Sequence, residues 1–509
     1  MESQVVIVNG KDLSLEDLVR VSRFGAKVQI SEDALERIKD SHKVVCEIEE
    51  SGVPTYGIST GFGELSRVHI SREQNQALQR NLIISHACAV GDPFSKEVVR
   101  AIMLLRLNTH CSGFSGVSPE VPDIIAELLN KDITPFVPSQ GSLGASGDLA
   151  NLAHIALVMI GEGEVIEDGV RKPTSEVLKR EGITPVVLKG KDGLGIINGT
   201  PVMGALGCLA LYDSYNLLKA ANMATALTFE AFRGITAALD PRVHAVRPHP
   251  GQMSTAAYIL SLLEGSSSVN TREGDVQDPY TLRCVPQVHG AVSDSLDHVK
   301  RVIEIEMNSV TDNPLVFKEE GEVISGGNFH GEPLALNLDF LGIAVSELAN
   351  ISERRTERLV NPALSGGLPA FLTEKEGVHS GFMIPQYTAA ALVSENKVLA
   401  HPASVDSIPS SANKEDHVSM GATAARKLAQ IVRNTRAVLA VEWMVAAQAC
   451  DLRKVEKLGK GTEQMIKEIR QVVPHLEEDR VLYPDMHALE ALLADSTVYE
   501  RIEKAAFNN

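Results

Sequence analysis

Apolar residues recur with a helical repeat over most of the second half of the chain. Pro201 to Phe232 carries only Asp213, Lys219 and Glu230 as charges. That pattern predicts a helix buried on most sides rather than a two-faced one. Val292, Leu296, Val299, Ile303 and Met307 lie one helical turn apart and predict a second long helix. It stops before Asp312-Asn313-Pro314, where proline forbids continuation. Phe340 to Val360 predicts a third, ended by Asn361-Pro362. Gly421 to Arg453 contains no proline and predicts a helix of roughly nine turns at ~3.6 residues each.

The first half is more broken. The first fifty residues predict short helices around a Gly-containing turn, with an amphipathic helix from Asp33 to Glu50 ending at Ser51-Gly52. Next comes Val53-Pro54-Thr55-Tyr56-Gly57-Ile58-Ser59-Thr60-Gly61-Phe62-Gly63, whose glycines disfavour regular structure. A second cluster, Gly141-Ser142-Leu143-Gly144-Ala145-Ser146-Gly147, leads through Asp148 into the apolar stretch Leu152 to Ile160. Arg171 to Gly195 mixes prolines with lysines and predicts a short surface excursion. With no fixed-period repeat and no low-complexity linker, the expected fold is mainly α. A smaller N-terminal lobe, 1–200, would carry both Gly-rich loops. The long-helix bundle and C-terminal helices would occupy 201–509, as a second domain or part of one continuous body.

Composition narrows the function classes. The 509 residues are 44% hydrophobic but only 4% aromatic, so the core is filled mainly by Ala, Leu, Val and Ile. A net charge of −18 and the lack of any basic, aromatic-interleaved patch argue against nucleic acid as a partner. Six scattered cysteines without a CxxC pair predict buried reduced thiols rather than disulfides or a zinc site. Met1-Glu2-Ser3-Gln4 does not begin a secretory signal, and no run reaches the roughly 18 to 20 apolar residues of a membrane helix. A cytoplasmic protein with no membrane partner is expected.

The common motifs of phosphate, zinc and serine-nucleophile chemistry are missing. His244 and His249, five residues apart among prolines, predict polar surface or helix-end contacts. What stands out is Ala145-Ser146-Gly147, whose small side chains permit backbone cyclisation. The Gly147 nitrogen can attack the Ala145 carbonyl only where nothing bulky blocks it. Loss of two waters, one taking the Ser146 hydroxyl, would leave a methylidene-imidazolone, a strongly electrophilic ring. An isolated Ala-Ser-Gly is far more often a turn and helix cap, so the tripeptide alone decides nothing.

Its surroundings do. Gly-Ser-Leu-Gly-Ala-Ser-Gly-Asp-Leu-Ala, 141–150, resembles the signature of the aromatic amino acid ammonia-lyases and aminomutases. The resemblance extends from Thr55 to about Arg453. Thr55 to Gly63 is similar to the family's tyrosine loop and Ile197-Asn198-Gly199-Thr200 to its asparagine motif. Gln277-Asp278-Pro279-Tyr280-Thr281-Leu282-Arg283 and Gly327-Asn328-Phe329-His330 resemble two further active-site blocks. The family implies a self-formed electrophile, with no metal or external cofactor, and a homotetramer whose active sites several subunits line. It implies Tyr56 as the base for the β-proton, which needs a pKa lowered from ~10 by nearby donors or by the electrophile's environment. Arg283 would pair with the substrate carboxylate. Asn198, Gln277 and Tyr280 would hold that carboxylate and polarise the electrophile, and Phe329 would shape the pocket.

Two positions bear on the substrate. His86, in Leu82-Ile83-Ile84-Ser85-His86, matches the selectivity position of family members that act on histidine, although some tyrosine enzymes share it. Glu415, in Ser411-Ala412-Asn413-Lys414-Glu415-Asp416-His417, stands where phenylalanine and tyrosine members usually carry glutamine. A carboxylate accepts a hydrogen bond from an imidazole N–H, which a phenyl ring lacks. The resemblance therefore implies elimination of ammonia from L-histidine to urocanate. The rivals are a lyase or aminomutase for another aromatic or imidazole-bearing amino acid, and a catalytically silent helical interaction protein. Four departures from the family pattern, Ser59, Asn151, Pro201 and Lys414, bear on rate and fine specificity.

Overall fold

The computed structural model describes residues 5–61, 63 and 70–507; Met1-Glu2-Ser3-Gln4 and Phe62, read above, lie outside the described residues. The chain divides into two compact units, each assembled from three segments. The first comprises Met1–Leu209, Lys300–Asp339 and Pro402–Arg426; the second comprises Ala210–Val299, Phe340–His401 and Lys427–Asn509. The helices Pro201–Phe232, Val285–Met307, Glu332–Val360 and Gly421–Arg453 each contribute residues to both.

The fold is mainly helical, and two of the long helices have the bounds that the apolar pattern predicts, Pro201–Phe232 and Gly421–Arg453. Two others begin earlier than their patterns suggest, at Val285 and at Glu332. The amphipathic helix runs Glu32–Ser51, started by Ser31, whose hydroxyl accepts from Ala34 N at 3.3 Å, and ended by Gly52 at φ 67°. One window of Glu332–Val360 is apolar and long enough by composition to cross a membrane, contrary to the sequence expectation. More than half of it is buried within the protein, as in a core helix.

Every strand among the described residues belongs to the first unit. Val6–Val8 pairs in parallel with Val28–Ile30, where only short helices were expected. Thr134–Pro135, Glu164–Glu167 and Val170–Pro173 make a small antiparallel sheet. Val90–Pro93 pairs with Pro138–Gln140, and Leu315–Phe317 with Glu322–Ile324. The expected surface excursion is only partly exposed, because Asp192–Ile197 is a short buried helix. Ser118 N and Oγ both donate to the Asp192 carboxylate, which explains how a charged residue starts a helix in the core.

Among the described residues, the regular elements of the second unit are all helices. Thr228, Arg355 and Glu442 tie three of its helices together from within. Arg355 donates two hydrogen bonds to Glu442, at 2.6 and 2.7 Å, and the Thr228 hydroxyl donates a third at 2.9 Å. Trp443, fully buried, donates its indole N–H to Ala220 O at 3.0 Å. All six cysteines are free, but only Cys111, Cys208 and Cys450 are buried as expected; Cys46 and Cys284 are half-buried and Cys88 is exposed.

Candidate active site

The loop carrying Ala145-Ser146-Gly147 is built by close approach of backbones in the first unit. Gly147 has φ 75° and pairs with Gly199 in a single parallel bridge. Gly199 N donates to Ser146 O at 3.2 Å and Asp148 N donates to Gly199 O at 2.7 Å. Those bonds use the groups on either side of Gly147 and leave its own nitrogen out of the ladder. A Cβ on Gly147 would sit 1.8 Å from Gly199 O, so no other residue fits without parting the two segments. Gly199 is itself pressed against Thr311, whose carbonyl oxygen would meet a Cβ there at 1.9 Å.

Asp148, quoted above only as part of the motif, anchors this arrangement. Its Oδ2 accepts from Val202 N and Met203 N at 2.9 and 3.0 Å, capping the helix Pro201–Phe232. The Ser142 hydroxyl donates to Asp148 Oδ1 at 3.0 Å. Complete burial pushes the Asp148 carboxyl up to about 6, with those donors pulling the other way. Asn151, a departure from the family pattern, lies inside the following helix Leu149–Met159 and donates to Pro138 O at 2.6 Å. Pro201 occupies the first position of its helix, where a missing N–H removes no intrahelical bond.

Tyr56, His86 and Glu415 gather beside this loop. The Ser146 hydroxyl donates to Glu415 Oε1 at 3.1 Å, and Ser410 Oγ donates to Oε2 at 2.9 Å. Ser410 and Glu415 also exchange backbone hydrogen bonds, at 2.9 and 3.3 Å. Between them Ser411, Ala412 and Asn413 hold φ of 50°, 54° and 65°. Left-handed backbone costs a non-glycine residue roughly 1–2 kcal/mol, so the Ser410–Glu415 clasp retains a strained turn. No Lys414–Glu415 ion pair occurs among the described residues, and Lys414 is exposed.

The Tyr56 hydroxyl accepts from Gly63 N at 3.5 Å. Burial raises its pKa, the Gly63 donor partly opposes that rise, and the neighbouring Glu415 charge adds to it. His86 closes the helix Arg72–His86, with Nδ1 3.1 Å from Ser85 Oγ. Burial lowers its pKa, while the Leu82 carbonyl and Glu415 pull it upward. Ser59 accounts for its own place in the tyrosine loop. Its hydroxyl accepts from Thr55 N at 2.9 Å and donates to Val53 O at 3.0 Å.

Asn198 is buried beneath the loop, donating to Asn313 O at 3.0 Å, while its Oδ1 has no hydrogen-bond partner. A buried amide oxygen left in this state is available to a ligand or a bound group. Behind it lies a set of charges that the sequence does not announce. Arg106 donates to Asn198 O, and Lys191 pairs with Asp312 at 2.7 Å with both side chains fully buried. Burial pulls Arg106 down to about 10, with Asp312 opposing.

Phe329 is half-buried in a turn that leads to His330. His330 Nδ1 accepts from Glu332 N at 3.3 Å, so a neutral His330 ring carries its proton on Nε2, which lies 3.3 Å from His417 Nδ1. With Glu332, these rings bring three potential ligand atoms within 4.8 Å of one another. The two rings stack with centroids 5.4 Å apart, and their nitrogens are within hydrogen-bond distance of each other.

Gln277, Tyr280 and Arg283 belong to the second unit. Tyr280 starts the short helix Tyr280–Arg283 and is 69% exposed, Gln277 is exposed, and the Arg283 guanidinium lies 4.5 Å over the Tyr280 ring. Arg283 makes no ion pair among the described residues, and its buried Nε lacks a partner.

The aromatic amino acid lyase family profile matches residues 13–471. The chain is 67% identical over 507 residues to a histidine ammonia-lyase of Treponema denticola, covering 99% of this chain and 100% of that protein. It is also similar to the crystal structure of a histidine ammonia-lyase from Trypanosoma cruzi, with a TM-score of 0.92 at 40% identity, covering 99% of this chain and 96% of that one. Against a tyrosine aminomutase from Streptomyces globisporus the TM-score is 0.95 at 37% identity, covering 99% and 100%. The chain belongs to the aromatic amino acid lyase family.

Proposed function

We propose that this protein is an ammonia-lyase that converts L-histidine to urocanate and ammonia without oxidation, opening histidine degradation. The observation that carries the choice of substrate is Glu415. Its carboxylate stands 3.1 Å from Ser146 Oγ, with its second oxygen anchored by Ser410, so one oxygen faces the loop. The 67% identity to a histidine-acting relative over nearly the whole chain supports the same reading.

The electrophile would be a methylidene-imidazolone formed from Ala145, Ser146 and Gly147. The positive φ of Gly147 and the unpartnered Asn198 Oδ1 both fit it. The ring supplies an acceptor for the substrate amine, turning a poor leaving group into a better one. Because the chain builds this group itself, the reading calls for no metal or external cofactor. Tyr56 takes the β-proton. Its hydroxyl is held too high for that task in the isolated chain, so the lowering must come from the finished ring and from groups outside it. Arg283 holds the substrate carboxylate, Gln277 and Tyr280 assist, and Asn198 polarises the electrophile. His86 and Glu415 take the imidazole, and Phe329 packs beside the ring.

Exposed Gln277 and Tyr280, with an Arg283 that has no ion pair among the described residues, are what a site shared between subunits leaves on one chain, which supports a homotetramer. Six free thiols suit a reducing compartment, the cytoplasm. A lyase or aminomutase for another aromatic amino acid would use the same electrophile, and Glu415→Gln separates the readings. Losing a charge-assisted bond to imidazole costs about 1.5–3 kcal/mol, or one to two orders of magnitude in rate. Turnover of histidine per dehydrated chain should fall by that factor, while slow turnover of phenylalanine or tyrosine stays level or improves. Equal losses on all three amino acids, together with a lower melting temperature, would mean that Glu415 is only structural.

A further inference from the structure

Ser146 and Glu415 are 269 residues apart in sequence, and the hydroxyl that must leave during ring formation donates to Glu415 Oε1 at 3.1 Å. Ser410 Oγ holds Oε2 at 2.9 Å, and the backbone of Ser410 pairs with that of Glu415 in both directions. One oxygen of the carboxylate is thus anchored by its own turn, and the other is aimed at the departing group. The three left-handed residues between Ser410 and Glu415 show that the turn is held in this form against its local preference. Holding a substrate imidazole does not require the carboxylate to reach Ser146 before the ring exists.

We propose that Glu415 is the acid–base group for dehydration of Ser146, a second task performed before any substrate binds. The inference rests on the reading that Ala145-Ser146-Gly147 cyclises. In the first dehydration the Gly147 nitrogen bonds to the Ala145 carbonyl carbon. The carbonyl oxygen then leaves as water with the Gly147 and Ser146 amide protons, and a carbon–nitrogen double bond forms. In the second, the Glu415 carboxylate takes the Ser146 Cα proton, made acidic by the new ring, and passes it to Oγ. The Cβ–Oγ bond breaks, Cα and Cβ become doubly bonded, and Oγ departs as water. Glu415 ends in its starting state, so no oxidant or further reactant is needed. Ser410 is a positioning residue in this scheme, because it fixes which oxygen faces Ser146.

Mass spectrometry of the peptide spanning 145–147, sampled at intervals after cell-free synthesis of the full chain, tests this directly. Wild type and Tyr56→Phe should lose both waters. Glu415→Gln, melting like wild type, should lose the second about a hundredfold more slowly, the scale of general acid–base assistance. Ser410→Ala should be slowed several-fold. Wild-type dehydration in folded Glu415→Gln would overturn the proposal, as would a block in Tyr56→Phe alone. If Glu415→Gln fails to fold, Ser410→Ala decides, and a wild-type rate there overturns it. Turnover per dehydrated chain keeps the two roles of Glu415 apart. Normal dehydration with lost histidine turnover sinks this inference only, and slow dehydration with normal turnover per dehydrated chain sinks the substrate role only. A wild-type peptide that keeps both waters in active protein overturns cyclisation itself.

Discussion

Replacing Gly147 with alanine probes the close approach on which the electrophile loop depends. Two costs can be separated. At φ 75° any L residue with a side chain loses roughly 1–2 kcal/mol relative to glycine. The new Cβ would also lie 1.8, 2.2 and 2.7 Å from the O, C and Cα of Gly199. All three are backbone atoms that no rotamer change can remove, so the segments must part by more than about 1 Å. That movement breaks the bonds from Asp148 N to Gly199 O and from Gly199 N to Ser146 O, at about 1 kcal/mol each. The sum is roughly 3–4 kcal/mol. Gly169 provides the control. Its φ is 77°, yet a Cβ there meets nothing within 4 Å, so Gly169→Ala isolates the backbone cost. Differential scanning calorimetry and loop-peptide mass should therefore diverge between the two variants. Gly147→Ala should melt about 2 °C below Gly169→Ala and keep its loop waters. Equal melting temperatures with complete dehydration in both would refute the packing argument.

Two further outcomes follow from the same geometry. Asp148 is pushed up to about 6 in the folded chain, against ~3.9 when unfolded. Between those values the folded state binds a proton that the unfolded state lacks, so the contribution of Asp148 to stability falls as pH rises from about 4 to 6. Denaturant unfolding from pH 4 to 7 should show wild type losing on the order of 3 kcal/mol relative to Asp148→Asn, and a constant difference would contradict the burial argument. Light scattering should find a tetramer, and a fully active monomer would remove the shared-site reading.

The long helices were legible because their apolar residues persist without interruption and their ends carry strong stops. Pro201–Phe232 and Gly421–Arg453 begin on residues that no helix interior accepts cheaply, and Glu332–Val360 ends just before Asn361-Pro362. Val6–Val8 and Val28–Ile30 escaped notice because three residues are too few to establish a two-residue rhythm, and each is stabilised by the other. The buried helix Asp192–Ile197 escaped notice for a related reason. A stretch with lysine and aspartate reads as surface until its partners are known, and here Ser118 stands 74 residues away and Asp312, which pairs with Lys191, 121.

The candidate site divides in the same way. Resemblance picked out Tyr56, His86, Ser146 and Glu415, but not the bond between Ser146 and Glu415, which joins distant segments. Ser410 gave no signal at all, being one serine in a polar stretch. Its role depends on a turn of non-glycine residues in the left-handed region, which sequence pattern does not reveal. The raised Tyr56 hydroxyl gave no signal in the sequence, because burial is a property of the fold rather than of the motif.

The most direct measurement is ultraviolet absorbance during incubation of the purified, untreated protein with L-histidine. Urocanate absorbs strongly where histidine does not. The account predicts a steady rise with histidine that requires no added cofactor and disappears in Ser146→Ala. No rise with histidine, alongside product formation from tyrosine or phenylalanine, would contradict it.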